Sequence, residues 1–241
     1  MPPASLWLAG APLLVVGLYL AVFPLAPDLF ARWLQGELGM IELATALLFL
    51  TASISAIRLA RLEATLPRYC RVLYGLFGML ALFVALEEIS YGQHLAGWIS
   101  PEFFQRHNQQ SETNLHNLLG SKPGKRLTRI ADVGSLLGLI ALPLGLVLLH
   151  RYTGRSFAWE RYLVPGLALA PLALLARGVA NLKATEWASP DLNELRELLW
   201  AWAAWGYVAV LRARLAGTAS LPGAIPERAF TTAEARASER A

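Results

Sequence analysis

Cysteine is nearly absent: Cys70 is the single one in 241 residues. One thiol excludes an internal disulfide and a cysteine-based metal cluster. Cys70 abuts Arg71 at the edge of an apolar run and reads as a buried structural thiol. Charge is scarce too. Asp, Glu, Lys and Arg make up 16% of the chain, against about 25% in a soluble domain. No H-E-x-x-H motif is present, nor the paired E-x-x-H pattern of di-iron bundles, so no ready-made metal signature exists. There is no internal repeat. The net charge of +4 does not point to nucleic acid, because the basic residues sit in short loops between apolar runs instead of forming a surface stripe.

What the chain has in quantity is hydrophobic sequence. Apolar residues make up 56% of it, and the mean hydropathy is +0.45. A helix needs about 20 apolar residues to cross a bilayer. Six segments meet that length: 5–25, 40–59, 69–88, 130–150, 162–180 and 192–211. The first lacks a basic n-region and an A-x-A cleavage site, and is expected to be a retained helix. Pro165 and Pro171 are expected to kink the fifth. The sixth is rich in tryptophan (Trp200, Trp202, Trp205), which suits packing and an interface belt. The predicted fold is all-α: a polytopic membrane protein of about six transmembrane helices, with an interfacial or re-entrant segment between helices 3 and 4. Residues 1–216 form one transmembrane domain. Residues 217–241 have little to bury and are expected to form a disordered or loosely helical cytoplasmic tail.

Six helices put both termini on one side. The loops 60–68 and 151–161 and the tail share that side with most of the arginines, though without the tail the basic residues divide evenly. Twelve of the 17 acidic residues fall on the other side: Asp28, Glu37, Glu42, Glu87, Glu88, Glu102, Glu112, Asp132, Glu186, Asp191, Glu194 and Glu197. The expected orientation has both termini in the cytoplasm, in a bacterial inner membrane, with the acidic face outside. Acids steer topology little, so their division speaks to function more than to orientation.

The densest polar stretch runs from Leu86 to Leu118. It contains His94, His107 and His116, four glutamates and seven side-chain amides. Glu42 opens helix 2, Glu87 and Glu88 close helix 3, and Glu194 and Glu197 open helix 6, all at this same face. A carboxylate at membrane depth costs about 2.5–3.5 kcal/mol even on lenient scales, so it should face the bundle interior with a partner. Glu87 and His94 would share a helix face if helix 3 ran past Gly92. Glu112 and His116 would share one if that segment were helical, with Ser111 as its N-cap. Ser189, Pro190 and Asp191 read as the start of helix 6.

His and carboxylates converging from separate helices are the ligand types of a divalent metal, either zinc or iron/manganese. The expected ligands are His94, Glu112 and His116, with Glu87, Glu88 and Glu112 as catalytic candidates. Glu42, Glu194 and Glu197 would support them, while Gln93, Asn114 and Asn117 would orient ligands or bind a headgroup. Plainer readings stand beside these. Glu42 and Glu194/Glu197 could be first-turn acids favoured by the helix dipole. Arg196 could be their surface ion-pair partner. Glu87–Glu88 could be an ordinary helix end at the water interface. His107 reads as solvated. Ser90 and Ser111 lack the His/Asp order of a nucleophilic triad. Segment 96–106, with Trp98, Phe103 and Phe104, reads as an interfacial helix.

Two runs, Glu87-Glu88-Ile89-Ser90-Tyr91-Gly92-Gln93 and Glu112-Thr113-Asn114-Leu115-His116-Asn117, resemble a pattern in uncharacterised bacterial multi-pass membrane proteins, E-E-I-S-W-G-Q followed by G-E-T-N-L-H-N. Here Tyr91 stands for the Trp and Ser111 for the Gly. The likeness covers mostly 86–118, with weaker echoes at 39–45 and 193–198. It implies a shared site and names no reaction. In chemistry alone, the design is similar to the alkaline-ceramidase-like membrane hydrolases, whose spaced His-x-x-x-His motif is absent here.

The leading expectation is a metal-dependent membrane hydrolase or transferase acting on a lipid or lipid-linked substrate. One alternative is a proton- or cation-coupled transporter using Glu42, Glu87 and Glu197. Another is a structural or assembly subunit of a membrane complex. Membrane lipid is the expected partner and nucleic acid is not.

Overall fold

The structure, a computed structural model, describes residues 4–34, 39–63, 66–108, 111–115, 129–130, 132–182 and 192–217. Six long helices carry it: α1 (Ala4–Leu25), α2 (Met40–Leu62), α3 (Arg68–Glu88), α4 (Asp132–Thr153), α5 (Glu160–Leu182) and α6 (Leu192–Leu215). Among the described residues there is no strand. The helices begin and end close to the limits that hydrophobicity sets, because the apolar runs stop where charges and loop residues begin. The predicted tail lies outside the described residues beyond Gly217.

Among the described residues four helices are long and apolar enough to cross a bilayer: Met40–Arg61, Arg68–Glu88, Asp132–Thr153 and Glu160–Leu182. The apolar part of α1, Gly10–Leu25, is shorter. α6 is as long as the others, but it carries Glu194, Arg196 and Glu197 at one end and Arg212 and Arg214 at the other. The outer faces of the apolar helices are greasy, with Leu73, Leu76, Met79 and Leu80 of α3 and Leu47, Leu50 and Ile54 of α2 exposed. Exposed apolar residues in continuous bands suit a hydrocarbon surrounding. The chain is membrane-embedded.

α2 is the central helix. It packs on α3 along one side and on α6 along another, while α5 packs on α6 and α1 rests on both. Both helices bury small residues, Ala52, Ser53 and Ala56 on α2 and Gly78, Ala81 and Ala85 on α3. Without a hydrophobic drive between helices in lipid, close backbone approach supplies the packing energy. Gly78 is where it is tightest. A Cβ there would stand 2.7 Å from Ile57 Cγ1 and 3.2 Å from the Ser53 carbonyl oxygen.

α5 is broken at its start. Pro165 has no N–H to give and pushes Val164 into an extended conformation (φ −109°, ψ 117°). The helix resumes through a 3₁₀ turn, Gly166–Leu169. The break leaves carbonyls that an unbroken helix would bond internally, which is costly in an apolar setting. Side chains from two other helices take them. Tyr74 of α3 donates to the Tyr162 carbonyl. Tyr207 of α6 donates to the Leu163 carbonyl at 3.0 Å, and Arg214 Nη1 to the Val164 carbonyl at 2.6 Å. Pro171 was expected to kink the same helix. It does not, because it falls in the first turn of the regular helix Ala170–Leu182, where an amide N–H needs no partner.

Candidate functional site

The site begins where α3 stops. Helix 3 does not run past Gly92, so the condition under which Glu87 and His94 would share a face is not met. It ends at Glu88, and the chain reverses through Ser90 and Tyr91, both at positive φ (45° and 54°), and Gly92 (83°). Two non-glycine residues in the left-handed region are strained, by about 1–3 kcal/mol each, and persist only when their surroundings hold them. One helical turn, Gln93–Ala96, follows, then a short helix, Glu102–His107. The interfacial helix expected over 96–106 is thus confined to its second half. Trp98, Ile99 and Phe103 project outward.

The segment 111–115 is not helical either. Ser111 has φ 59° and caps no helix. The proposed i,i+4 face for Glu112 and His116 is therefore not formed through Glu112, and His116 itself lies outside the described residues. What places Glu112 is a set of hydrogen bonds. The buried Ser90 hydroxyl donates to Glu112 Oε2 at 2.9 Å. Asn114 Nδ2 donates to the same oxygen at 2.6 Å and to Ser90 Oγ at 3.0 Å. Asn108 Nδ2 in turn donates to Asn114 Oδ1 and to its carbonyl, each at 2.9 Å. The other carboxylate oxygen, Oε1, faces His94 Nε2 at 3.3 Å.

Two further bonds pin this loop to the helix end. The Leu115 N–H donates to Glu87 Oε2 at 2.8 Å. Gln93 Oε1 accepts from the Thr113 N–H at 2.7 Å and from the Ser100 hydroxyl at 2.9 Å. Glu87 also hydrogen-bonds Tyr91. Burial, together with that bond to Glu87, pushes the Tyr91 hydroxyl up to about 12, so the phenol stays protonated and donating at neutral pH.

Beside the loop lies a layer of carboxylates from three helices. The Glu88 carboxyl lies within electrostatic range of Glu197 and Glu194 on α6, Glu42 on α2 and Glu87 on its own helix. The expected convergence of helix 2, helix 3 and helix 6 is present, because α2 packs between α3 and α6 and the three acidic ends share one end of the bundle. Arg196 is not the surface partner of Glu194 and Glu197. It is buried, at 8% exposure, and forms no ion pair among the described residues. His107 is exposed and stacks on Phe103, as a solvated residue would.

The site residues thus sort into three groups. His94, Glu112, Asn114, Gln93 and Glu87 are joined by the loop network. Glu42, Glu88, Glu194 and Glu197 form the adjoining layer. His116 and Asn117 lie outside the described residues, as do Ser189, Pro190 and Asp191. Nothing in the sequence marks Ser100, Asn108 or Thr113 as a site residue, and Ser90 reads there only as a nucleophile lacking its triad. Their common signal is a small polar residue in a greasy chain, which becomes informative only once the loop folds back. Among the described residues no group of three or more His, Cys, Asp or Glu side chains is arranged to hold a metal. Of the three expected ligands, His94 and Glu112 lie together and His116 is outside the described residues. No family model matches the chain, and neither a curated protein nor a solved structure is significantly similar to it.

Proposed function

We propose that this chain is a six-helix membrane enzyme, with both termini cytoplasmic, that holds a divalent metal in the outer loop and acts on a lipid or lipid-linked substrate as a hydrolase or transferase. The observation that carries this reading is the His94–Glu112 pair. Their ligating atoms stand 3.3 Å apart. With metal–ligand bonds of about 2.0–2.1 Å, adjacent ligands of a tetrahedral zinc are about 3.3–3.4 Å apart. Ser90 and Asn114 bond the opposite oxygen of Glu112 and fix its orientation, which is the role of outer partners at metal sites. His116 is the natural third ligand by sequence. His94 and Glu112 would hold a divalent cation there, which would supply Lewis acidity and lower the pKa of a bound water. Glu88 and its neighbouring carboxylates adjoin it as groups that can exchange protons with the site. Strain at Ser90 and Tyr91 fits a loop held in one conformation for a chemical purpose.

The test is metal analysis of the purified full-length protein in detergent, with lipid extracts of cells that overproduce it. The expected result is one tightly held zinc, iron or manganese per chain, lost in His94→Ala and Glu112→Gln. A change in the cellular lipid pool should accompany the wild type and vanish in both variants. A metal-free wild type would sink this reading.

The carboxylate layer favours a second reading, a proton- or cation-coupled transporter. Five carboxylates from three helices are a plausible ion relay. Polar residues deeper along α2 are sparse, with Thr45 and Ser53 the buried ones, and Thr45 spends its hydroxyl on the Ile41 carbonyl. Proton uptake by proteoliposomes, lost in Glu88→Gln, would identify this alternative.

A further inference from the structure

The first turns of α6 carry two different stripes. Glu194 and Glu197 make the acidic one, facing Glu88. Asn193, Arg196 and Trp200, spaced i, i+3 and i+7, make the other. Arg196 is more than nine-tenths buried. Its Nη2 donates to Asn193 Oδ1 at 3.1 Å, and its guanidinium lies 4.9 Å from the centre of the Trp200 ring. Its Nε is fully covered and has no hydrogen-bond partner among the described residues. The Trp200 indole Nε1 is in the same condition.

Two covered donors without acceptors thus sit one helical turn apart, one of them on a permanent cation that lies over the ring carrying the other. A buried guanidinium without a counter-charge is strongly unfavourable. An unpaired buried donor adds a further desolvation penalty. Both deficits are met by one group: an oxyanion. Carboxylates are plentiful nearby, yet none of the described ones pairs with Arg196. Guanidinium is the side chain best matched to the fork of a phosphate. The position also suits one. Arg196 sits in the second turn of a 24-residue helix, at the membrane face where the carboxylate layer lies. Phospholipid phosphates occupy a membrane face, and the partial positive charge of a helix N-terminus adds to the attraction.

We propose that Arg196 and Trp200 form a binding site for a phosphate group, with Arg196 supplying charge and Nε–H and Trp200 supplying its indole N–H. This inference rests neither on a bound metal nor on catalysis. Around the helix Glu194 is about 160° and Glu197 about 100° from Arg196, while Glu197 is about 60° from Trp200 and borders the site on that side.

The test uses the full chain purified in a phosphate-free maltoside detergent. Thermal unfolding is followed while inorganic phosphate, a short-chain phosphatidylglycerol or a phosphate-free galactolipid is added. The wild type should be stabilised saturably by phosphate or by the phospholipid, and not by the galactolipid. Response to the phospholipid alone identifies a headgroup as the source; an equal response to inorganic phosphate identifies the free anion. Arg196→Gln should weaken the effect roughly tenfold or more, as loss of a charge-assisted bond implies. Trp200→Phe keeps the ring, removes the N–H and should weaken it severalfold, so the idea stays testable if Arg196→Gln does not fold. Arg106→Gln, at an exposed arginine, should leave it unchanged. No wild-type response to either phosphate compound overturns the proposal, as does a wild-type response in Arg196→Gln or an unaltered one in Trp200→Phe.

Discussion

Ser90 donates its hydroxyl to Glu112 across 2.9 Å, joining the end of α3 to a loop that returns from beyond the short helix Glu102–His107. Ser90 makes this bond at φ 45°, a conformation that serine does not choose freely. The bond and the strain therefore offset each other at one residue. Two substitutions separate them. Ser90→Ala keeps the strain and loses the bond, so it should destabilise by about 1–3 kcal/mol. Ser90→Gly loses the bond too but relaxes the backbone, and should be the more stable of the two. Chemical or thermal unfolding in detergent measures the order, and a Ser90→Gly protein weaker than Ser90→Ala would contradict the account.

Glu112 accepts from Ser90 and Asn114 on one oxygen and faces His94 with the other. Glu112→Gln replaces an acceptor by an amide that must turn an N–H toward at least one donor or toward His94. The loop should loosen, read as faster protease cleavage between 97 and 115, while the helices stay folded by circular dichroism. Asn114→Asp should behave similarly, because it places a second carboxylate beside Glu112.

The α2–α3 seam depends on the missing side chain of Gly78. Gly78→Ala should cost about 1–3 kcal/mol, since its methyl would press on Ile57 Cγ1 and the Ser53 carbonyl. Ile57→Ala in the same chain removes the side-chain contact and should restore part of the loss. If the double variant is as unstable as the sum of the singles, the contact is not the cause.

The broken start of α5 depends on donors from elsewhere. Tyr207→Phe removes the bond to the Leu163 carbonyl and should lower stability by about 1 kcal/mol. Arg214→Met keeps apolar bulk, strips the bond to the Val164 carbonyl and should cost more, because its donor is charged. Hydrogen exchange should rise first around 162–168 in both variants.

Tyr91 gives a pH dependence with a definite sign. Burial and its bond to Glu87 raise its hydroxyl from about 10 in an unfolded chain to about 12. The native state therefore holds that proton more tightly than the unfolded state. Its contribution is complete below pH ~10 and declines as the pH rises from there through the folded value. Tyr91→Phe should flatten the alkaline fall in stability, and its absorbance titration at alkaline pH should lack one late-ionising tyrosine.

The sequence alone determined the helices and their shared polar end. Segments 40–59, 69–88, 130–150 and 162–180 match α2–α5 because lipid demands about 20 apolar residues per span, a local and additive requirement. Alternating direction then placed Glu42, Glu88, Glu194 and Glu197 at one level before any packing was known. Tertiary structure decided which groups touch. Helical spacing would tie Glu87 to His94 if helix 3 ran past Gly92, and the backbone break at Ser90–Tyr91 rules that out; it would tie Glu112 to His116 if that piece were helical, and Glu112 lies in a non-helical segment. Glu112 instead meets His94, Ser90 and Asn114 through a loop reversal that no periodicity encodes. The same holds for Arg196, which its neighbours in sequence recommend as a surface ion pair and which the bundle buries against Trp200. Spacing along a helix is written in the chain one residue at a time. Contacts across a turn depend on where several strained dihedrals send the chain together, and the balance of packing and hydrogen bonds settles that only in the folded protein.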